Sequence, residues 1–80
     1  MERIRSSDLK IKIDEHRFKI SSNIKRIREE SGISLEDLSF YSRLSVNTIR
    51  NLESGVLNPT ITTLVQVSDG LRVPLQCILL

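Results

Sequence analysis

The sequence predicts an all-α fold in which five helical segments follow an N-terminal arm. Helix-capping residues recur from residue 21 onward, and the apolar residues between them repeat every three or four positions. Eighty residues with 39% apolar and 28% charged side chains suit one small globular domain. We therefore predict an arm over residues 1–19 and one helical domain over residues 20–80.

The arm differs in pattern from the rest of the chain. Leu9, Ile11 and Ile13 alternate with lysines, which is the period-2 pattern of a short strand, and Phe18 and Ile20 would return as a second strand. A loose, basic arm without any strand explains the same residues equally well. The sequence leaves the choice between the two open.

The first two helices are placed by their boundary residues. The first is expected to begin at position 21 or 22 and to run to residue 31, with Gly32 following its end. Ser34 is expected to cap the second helix, since Asp37 stands three residues later in a capping-box-like pattern. On that helix Leu38 faces inward, whereas Phe40 points outward.

The third helix carries the main functional signal, and Ser45 and Gly55 mark its ends. Ile49 and Leu52 lie on one side at 3.6 residues per turn. The opposite side collects the small polar and basic residues Asn47, Arg50, Asn51 and Ser54, together with Val46. A helix that buries one side and presents Asn and Arg on the other is suited to the major groove of DNA. DNA binding is therefore the leading hypothesis.

The C-terminal part of the chain predicts a fourth helix and a short fifth one. Thr60 caps the fourth helix, Gly70 is expected to weaken it near its end, and Pro74 precedes the last turn. Five large apolar residues occupy the last eight positions: Val73, Leu75, Ile78, Leu79 and Leu80. One short turn cannot bury them all, so we predict that this patch forms a homodimer interface. Pairing of the arm's strand pattern between two subunits is the alternative, and the sequence leaves the choice between these two surfaces open.

The spacing of the first three predicted helices resembles a known family. The pattern I-x-x-I-R-x-x-x-G-I-S-x-x-x-L spans residues 24–38, and S-x-x-T-I-x-x-L-E-x-G-x-x-N-P spans residues 45–59. Residues 20–79 resemble the phage-repressor-like helix-turn-helix regulators (Cro/C1-type, or Xre), and the small restriction–modification controllers in particular. The resemblance implies a compact five-helix bundle of the lambda-repressor-like type that binds double-stranded DNA as a homodimer.

The resemblance also implies residue roles. Arg28 and Glu53 are expected to form an ion pair that fixes the third helix against the first. Asn58 is expected in the loop after the third helix, close to phosphate oxygens. Arg43 occupies a turn position that usually holds glycine, so it would adopt a left-handed conformation with some strain, and it is a second candidate for phosphate contact.

Base contacts follow from the chemistry of the third helix. Asn47 and Asn51 suit the N6 and N7 atoms of adenine, Arg50 suits guanine, and Val46 suits a thymine methyl group. Thr48 lies at the edge of the face, where it either packs or contacts phosphate. We expect roughly half of these side chains to be ordinary solvated residues instead.

The composition argues against several other classes of protein. A single histidine and a single cysteine, Cys77, with no glycine-rich phosphate loop, argue against an enzyme, a metal site or a cofactor site. Cys77 is expected to be buried. No apolar run has the length of a signal peptide or a membrane span, so a cytoplasmic location without membrane contact is expected.

The charge distribution keeps a second hypothesis open. The net charge is +2, of which residues 1–30 contribute +3 and residues 31–80 contribute −1. A weakly charged domain attracts phosphate poorly as a monomer, which favours a dimer. It also favours the alternative of a protein-interaction module, such as an antitoxin-like partner or a complex subunit, with Phe40 exposed on its surface.

Overall fold

A computed structural model describes residues 5–80 of the chain. Its five helices are α1 (Ser6–Glu30), α2 (Leu35–Ser42), α3 (Val46–Ser54), α4 (Ile61–Leu71) and α5 (Leu75–Leu79). Residues 5–80 contain no strand. The predicted all-α, five-helix architecture is therefore confirmed.

Local capping defines the starts of α2, α3 and α4. The Ser34 hydroxyl accepts the backbone N–H of Asp37 at 3.0 Å, and the Asp37 carboxylate accepts the backbone N–H of Ser34 at 3.1 Å. This is a complete capping box. The caps Ser45 and Thr60 each accept the backbone N–H three residues later, at 3.1 Å in both cases. These short-range bonds explain why the sequence places the three helix starts correctly.

The amino-terminal part of α1 corrects the prediction for the arm. Residues 6–20 belong to one continuous helix of 25 residues, so neither of the two alternatives for this segment, a pair of strands or a loose arm, is found there. The predicted helix start at position 21 or 22 is also wrong. Leu9 and Ile13 stand four residues apart on the helix face that carries Ile20 and Ile24, whereas Ile11 points away from it. The alternation of Leu9, Ile11 and Ile13 with lysines matches the period-2 pattern of a strand, although the residues are helical. The boundary between an arm and a domain at residue 19 remains a prediction.

The length of α1 does not make it a membrane span. Its 25 residues include many charged side chains, and no helix within residues 5–80 is long and apolar enough to cross a bilayer. The first four residues, which include the arm's Arg3, lie outside the described part of the chain.

The core is formed by side chains from all five helices. Ile24, Leu38, Ile49, Val67 and Ile78 are completely inaccessible to solvent. A close approach of α2 and α4 at Gly70 seals one side of this core, because a Cβ atom there would lie only 3.0 Å from the backbone nitrogen of Ser42. Helix α4 continues through this glycine to Leu71, so the fraying expected at Gly70 does not occur.

The C-terminal residues correct the predicted dimer interface. Ile78 belongs to the core of its own chain, and the Asn23 amide donates to its carbonyl oxygen at 2.8 Å, which ties α5 to α1. Ile78 is therefore not available to a partner. The side chain of Leu80 is 78% exposed, while Leu75 and Leu79 pack partly against the core. Cys77 is exposed, not buried as expected.

Candidate nucleic-acid interface

Helix α3 has one buried face and one solvent-facing polar face. Ile49 and Leu52 are buried on the inner side. On the outer side Asn47 and Arg50 are exposed, and the remaining candidates are half-buried: Val46, Thr48 and Asn51. The Asn47 and Arg50 side chains are exposed to water, and Asn51 is partly exposed. The surface is therefore free for a partner that offers hydrogen-bond acceptors and donors.

The N-terminal end of α3 uses two hydroxyl groups. The Thr48 hydroxyl lies 2.8 Å from the hydroxyl of Ser45, whose oxygen also accepts the Thr48 backbone N–H. Thr48 therefore takes part in the cap, in addition to being half-buried. The first turn of the helix is held rigidly where the polar face begins.

A largely buried ion pair anchors α3 to α1. The Arg28 Nε donates to Glu53 Oε2 at 2.6 Å and a terminal nitrogen of Arg28 donates to Oε1 at 3.0 Å. This is the two-bond fork geometry that only arginine offers to a carboxylate. The other terminal nitrogen donates to the carbonyl oxygen of Ile33 at 3.0 Å, in the loop before α2. The hydrogen bond to Glu53 raises the pKa of the Arg28 guanidinium above its already high ordinary value.

The turn between α2 and α3 contains a strained residue. Arg43 has φ 60° and ψ 33°, the left-handed conformation that glycine adopts more easily. The Leu44 backbone N–H donates to the carbonyl oxygen of Ser39, and the Ser39 hydroxyl donates to the carbonyl oxygen of Leu44. These bonds hold the turn, and the exposed Arg43 lies three residues before Val46, the first residue of α3.

The loop between α3 and α4 is contacted by α1. Asn58 is exposed, and its carbonyl oxygen Oδ1 accepts a hydrogen bond from a terminal nitrogen of Arg17 at 3.4 Å. The aromatic ring of Phe18 covers Gly55, the left-handed residue that ends α3; a Cβ there would lie 3.0 Å from the ring. Sequence reasoning missed the contacts of Arg17 and Phe18, because contacts between residues so far apart in the chain, 41 positions for Arg17 and Asn58, leave no local pattern.

Other polar candidates lie on exposed surfaces. Lys25 and Arg26 face solvent on α1, where Arg26 is 3.4 Å from Glu30 in an exposed pair of one helical turn. Such a pair is weak and leaves Arg26 free to contact phosphate. Lys10 and Lys12 are exposed on the amino-terminal turns of α1. Within residues 5–80, no three His, Cys, Asp or Glu side chains come together as a metal site would require.

Two exposed aromatic side chains mark the outer face of α2. Phe40 is 80% exposed, as the sequence predicted, and its ring packs edge-on against Tyr41 with the centroids 5.7 Å apart. The opposite side of α2 is fixed to α4, where the Gln66 amide donates to the carbonyl oxygen of Ser42 at 3.1 Å.

An open apolar groove of about 570 Å³ separates the end of α1 from α5. Val73, Cys77 and Leu80 contribute to its apolar lining, and Arg26, Glu30 and Gln76 to its polar edge. Of the predicted interface residues, Val73 and Leu80 line this groove.

Comparison with known proteins places these features in a family context. The sequence profile described as "Helix-turn-helix" matches residues 24–76. An uncharacterized HTH-type transcriptional regulator, y4dJ, of Sinorhizobium fredii (strain NBRC 101917 / NGR234) is 35% identical over 54 residues, covering 68% of this chain and 70% of that protein. The crystal structure of the wild-type restriction-modification controller protein C.Esp1396I is similar with a TM-score of 0.69 at 38% identity, covering 71% of this chain and 75% of that one. A tyrosine-to-phenylalanine variant of that controller gives the same TM-score and identity, with 71% and 72% covered.

Proposed function

The chain belongs to the helix-turn-helix family, and we propose that it is a sequence-specific DNA-binding regulator of transcription that acts as a homodimer. The similarity to an HTH-type transcriptional regulator and to a restriction-modification controller protein supports the regulatory role. The single observation that carries the proposal is the exposed polar face of α3, with Ile49 and Leu52 buried behind it. A recognition helix needs this division between the two sides.

Direct base contacts are assigned to the exposed side of α3. Arg50 has the two-pronged donor geometry that guanine O6 and N7 accept, and Asn47 and Asn51 pair with adenine N6 and N7. Val46, at the start of the helix, is assigned an apolar contact with a thymine methyl group. The exposure of Asn47 and Arg50 supports these assignments, because neither side chain must leave the core to reach a base edge.

Phosphate contacts are assigned to residues at the ends of the recognition helix. Arg43 lies in the turn before α3, Thr48 in its first turn and Asn58 in the loop after it. Residues of this kind fix the register of a protein on DNA and carry no sequence information themselves. The cationic Arg43 is the strongest of the three for this purpose, since each neutralised phosphate releases counterions.

A homodimer is proposed because one weakly basic copy offers few phosphate contacts. The exposed Leu80 at the groove between α1 and α5, with the half-buried Leu75 and Leu79 nearby in sequence, forms the proposed interface. Two-fold symmetry would place two α3 helices about 34 Å apart, one turn of DNA. Sedimentation or light scattering at micromolar concentration tests the assembly, and a monomer at high micromolar concentration would remove this part of the proposal.

The first experiment is selection of bound duplexes from a random library, followed by fluorescence anisotropy at two salt concentrations. We expect recovery of a near-palindromic site and binding that weakens steeply with salt. A failure to bind any duplex at low salt would contradict the proposal. It would instead favour a protein-interaction module, for which the exposed pair Phe40 and Tyr41 is the specific supporting observation.

Arg50→Ala tests the base-reading assignment. Loss of the paired contact to guanine is expected to weaken binding of the selected site by about 1–3 kcal/mol and to relax preference at one base position. Lys19→Ala, which removes the same charge from an exposed position on α1, serves as the control and should leave base preference unchanged. An equal loss on all sequences would reassign Arg50 to phosphate.

A further inference from the structure

Helix α1 reaches the loop after the recognition helix through a three-residue cluster. One terminal nitrogen of Arg17 lies 2.9 Å from the Asp14 carboxylate, and the other donates to Asn58 Oδ1 at 3.4 Å. The Nε of Arg17 is shielded from solvent and has no partner within residues 5–80. The guanidinium group therefore lies between an acidic residue of its own helix and an amide of the α3–α4 loop.

The chemistry of the contact sets the orientation of the Asn58 amide. A guanidinium group has donors and no acceptor, so Asn58 must turn its carbonyl oxygen toward Arg17. The Nδ2 atom of Asn58, which carries two N–H donors, therefore cannot be the atom that faces Arg17. Nδ2 has no hydrogen-bond partner within residues 5–80, and the Asn58 side chain is exposed. Phosphate oxygens accept hydrogen bonds and never donate them, so this orientation suits phosphate.

We infer that Arg17 is a positioning residue for DNA binding, which holds the Asn58 amide so that its N–H donors are free for a backbone phosphate. The inference rests on the proposed function. Asp14 orients Arg17 and offsets its charge, so Arg17 acts on the phosphate through Asn58 and not as a cation of its own. Arg17 precedes residues 24–76, which match the family, and adds to that domain a contact from outside it.

Neighbouring contacts connect the Arg17 cluster to the end of α3. The Arg17 guanidinium carbon lies 5.4 Å from the centre of the Phe18 ring, and the same ring covers Gly55 at the end of α3. Arg17 and Asn58 also share an apolar hollow with Ile13, Ile20 and Leu64. The loop that carries Asn58 is thus fixed to α1 on one side and to α3 through its own chain.

The test is a double-mutant cycle of DNA affinity on the full chain with Arg17→Ala, Asn58→Ala and the double variant. We expect Asn58→Ala to weaken binding about 3- to 10-fold, the usual value of one hydrogen bond. Arg17→Ala should have a similar effect in the natural background and little further effect when Asn58 is already alanine. Lys19→Ala, with the same charge loss and no contact to the loop, measures the general electrostatic effect. Thermal midpoints confirm that each variant is folded.

Two further measurements distinguish a positioning role of Arg17 from a purely structural role and from a direct contact between Arg17 and phosphate. Arg17→Ala should change the salt dependence of binding no more than Lys19→Ala does, whereas loss of a direct cationic contact lowers the slope by about 0.9. Asn58→Asp keeps an acceptor for Arg17, so its thermal midpoint should be at least that of the natural chain. It should nevertheless bind DNA more weakly than Asn58→Ala, because a carboxylate replaces the donor facing phosphate.

Three results would overturn the inference while leaving the proposed function standing. These are additive effects of the two alanine changes, a lowered salt slope specific to Arg17→Ala, and normal DNA binding by Asn58→Asp. A natural chain that binds no duplex at all would overturn the proposed function, and the inference with it. The two kinds of failure are therefore distinguishable in one set of measurements.

Discussion

The two parts of α1 differ in what holds them in helical form. In the bundle segment (residues 20–30), Ile24 is fully buried and Ile27 is 8% exposed. In the amino-terminal segment (residues 6–19), Leu9 and Ile13 continue the same face but are 48% and 50% exposed. Packing stabilises the first segment, whereas the second depends mostly on its own backbone hydrogen bonds. An unbroken helix can therefore contain regions of very different stability.

The largest expected contrast comes from proline at two exposed lysines of this helix. Lys25→Pro interrupts the bundle segment and should reduce the free energy of unfolding by about 3 kcal/mol or more. Lys12→Pro makes the same chemical change in the amino-terminal segment, before Arg17 and Phe18, which contact the α3–α4 loop and the end of α3. It should lower the helical signal in circular dichroism while leaving the thermal midpoint almost unchanged.

A large drop in the thermal midpoint of Lys12→Pro would break the comparison. It would mean that residues 6–19 unfold together with the bundle, and that the contacts of Ile13 in the apolar hollow with Ile20 and Leu64 are more stabilising than their exposure indicates.

Truncation of isoleucines gives the next largest contrast. Ile24→Ala leaves a cavity in the core and should cost about 2–5 kcal/mol of unfolding free energy. Ile11→Ala removes the same atoms from a side chain that is 56% exposed, and its effect should stay within about 0.5 kcal/mol. Urea denaturation of both variants measures the difference. Equal losses would show that Ile11 is covered in solution, for example by a second copy of the chain.

Phe18→Ala locates the boundary between the two segments, with the smallest expected effect of the three tests. The ring is 54% exposed but packs over Gly55, so its removal should cost roughly 1 kcal/mol. The value should fall between those for Ile11→Ala and Ile24→Ala in the same denaturation assay. A cost as small as that of Ile11→Ala would place Phe18 entirely within the amino-terminal segment, whereas a cost as large as that of Ile24→Ala would extend the bundle segment to residue 18.

Features that depend on neighbouring residues could be predicted from the sequence. Ser34, Ser45 and Thr60 bond to backbone groups three residues away, so their spacing alone identifies the helix starts. The left-handed conformation at Arg43 follows from its place in a recognisable turn. The buried and exposed sides of α3 follow from periodicity, because that helix packs on one side only.

Apart from the Arg28–Glu53 pair, which the family resemblance implied, features that depend on distant or missing neighbours could not be predicted. The helical form of residues 6–19 leaves no one-sided apolar pattern, since Ile11 and Phe18 lie away from the face of Ile13. Apolar residues look alike whether they enter a core or an interface, so Ile78 was assigned to the wrong surface. The Arg17–Asn58 contact could not be predicted from the sequence, because it joins α1 to the loop between α3 and α4 and forms only when the chain is folded.

The close approach at Gly70 bears on how the protein would match DNA. A Cβ atom at Gly70 would lie only 3.0 Å from the backbone nitrogen of Ser42, so α2 and α4 are in tight contact there, and the Arg28–Glu53 ion pair joins α3 to α1. Each protomer thus behaves as a stiff block. In the proposed homodimer, the separation between half-sites would be set entirely by how the two blocks meet, so substitutions at the subunit contact, far from any base, should alter the preferred operator length.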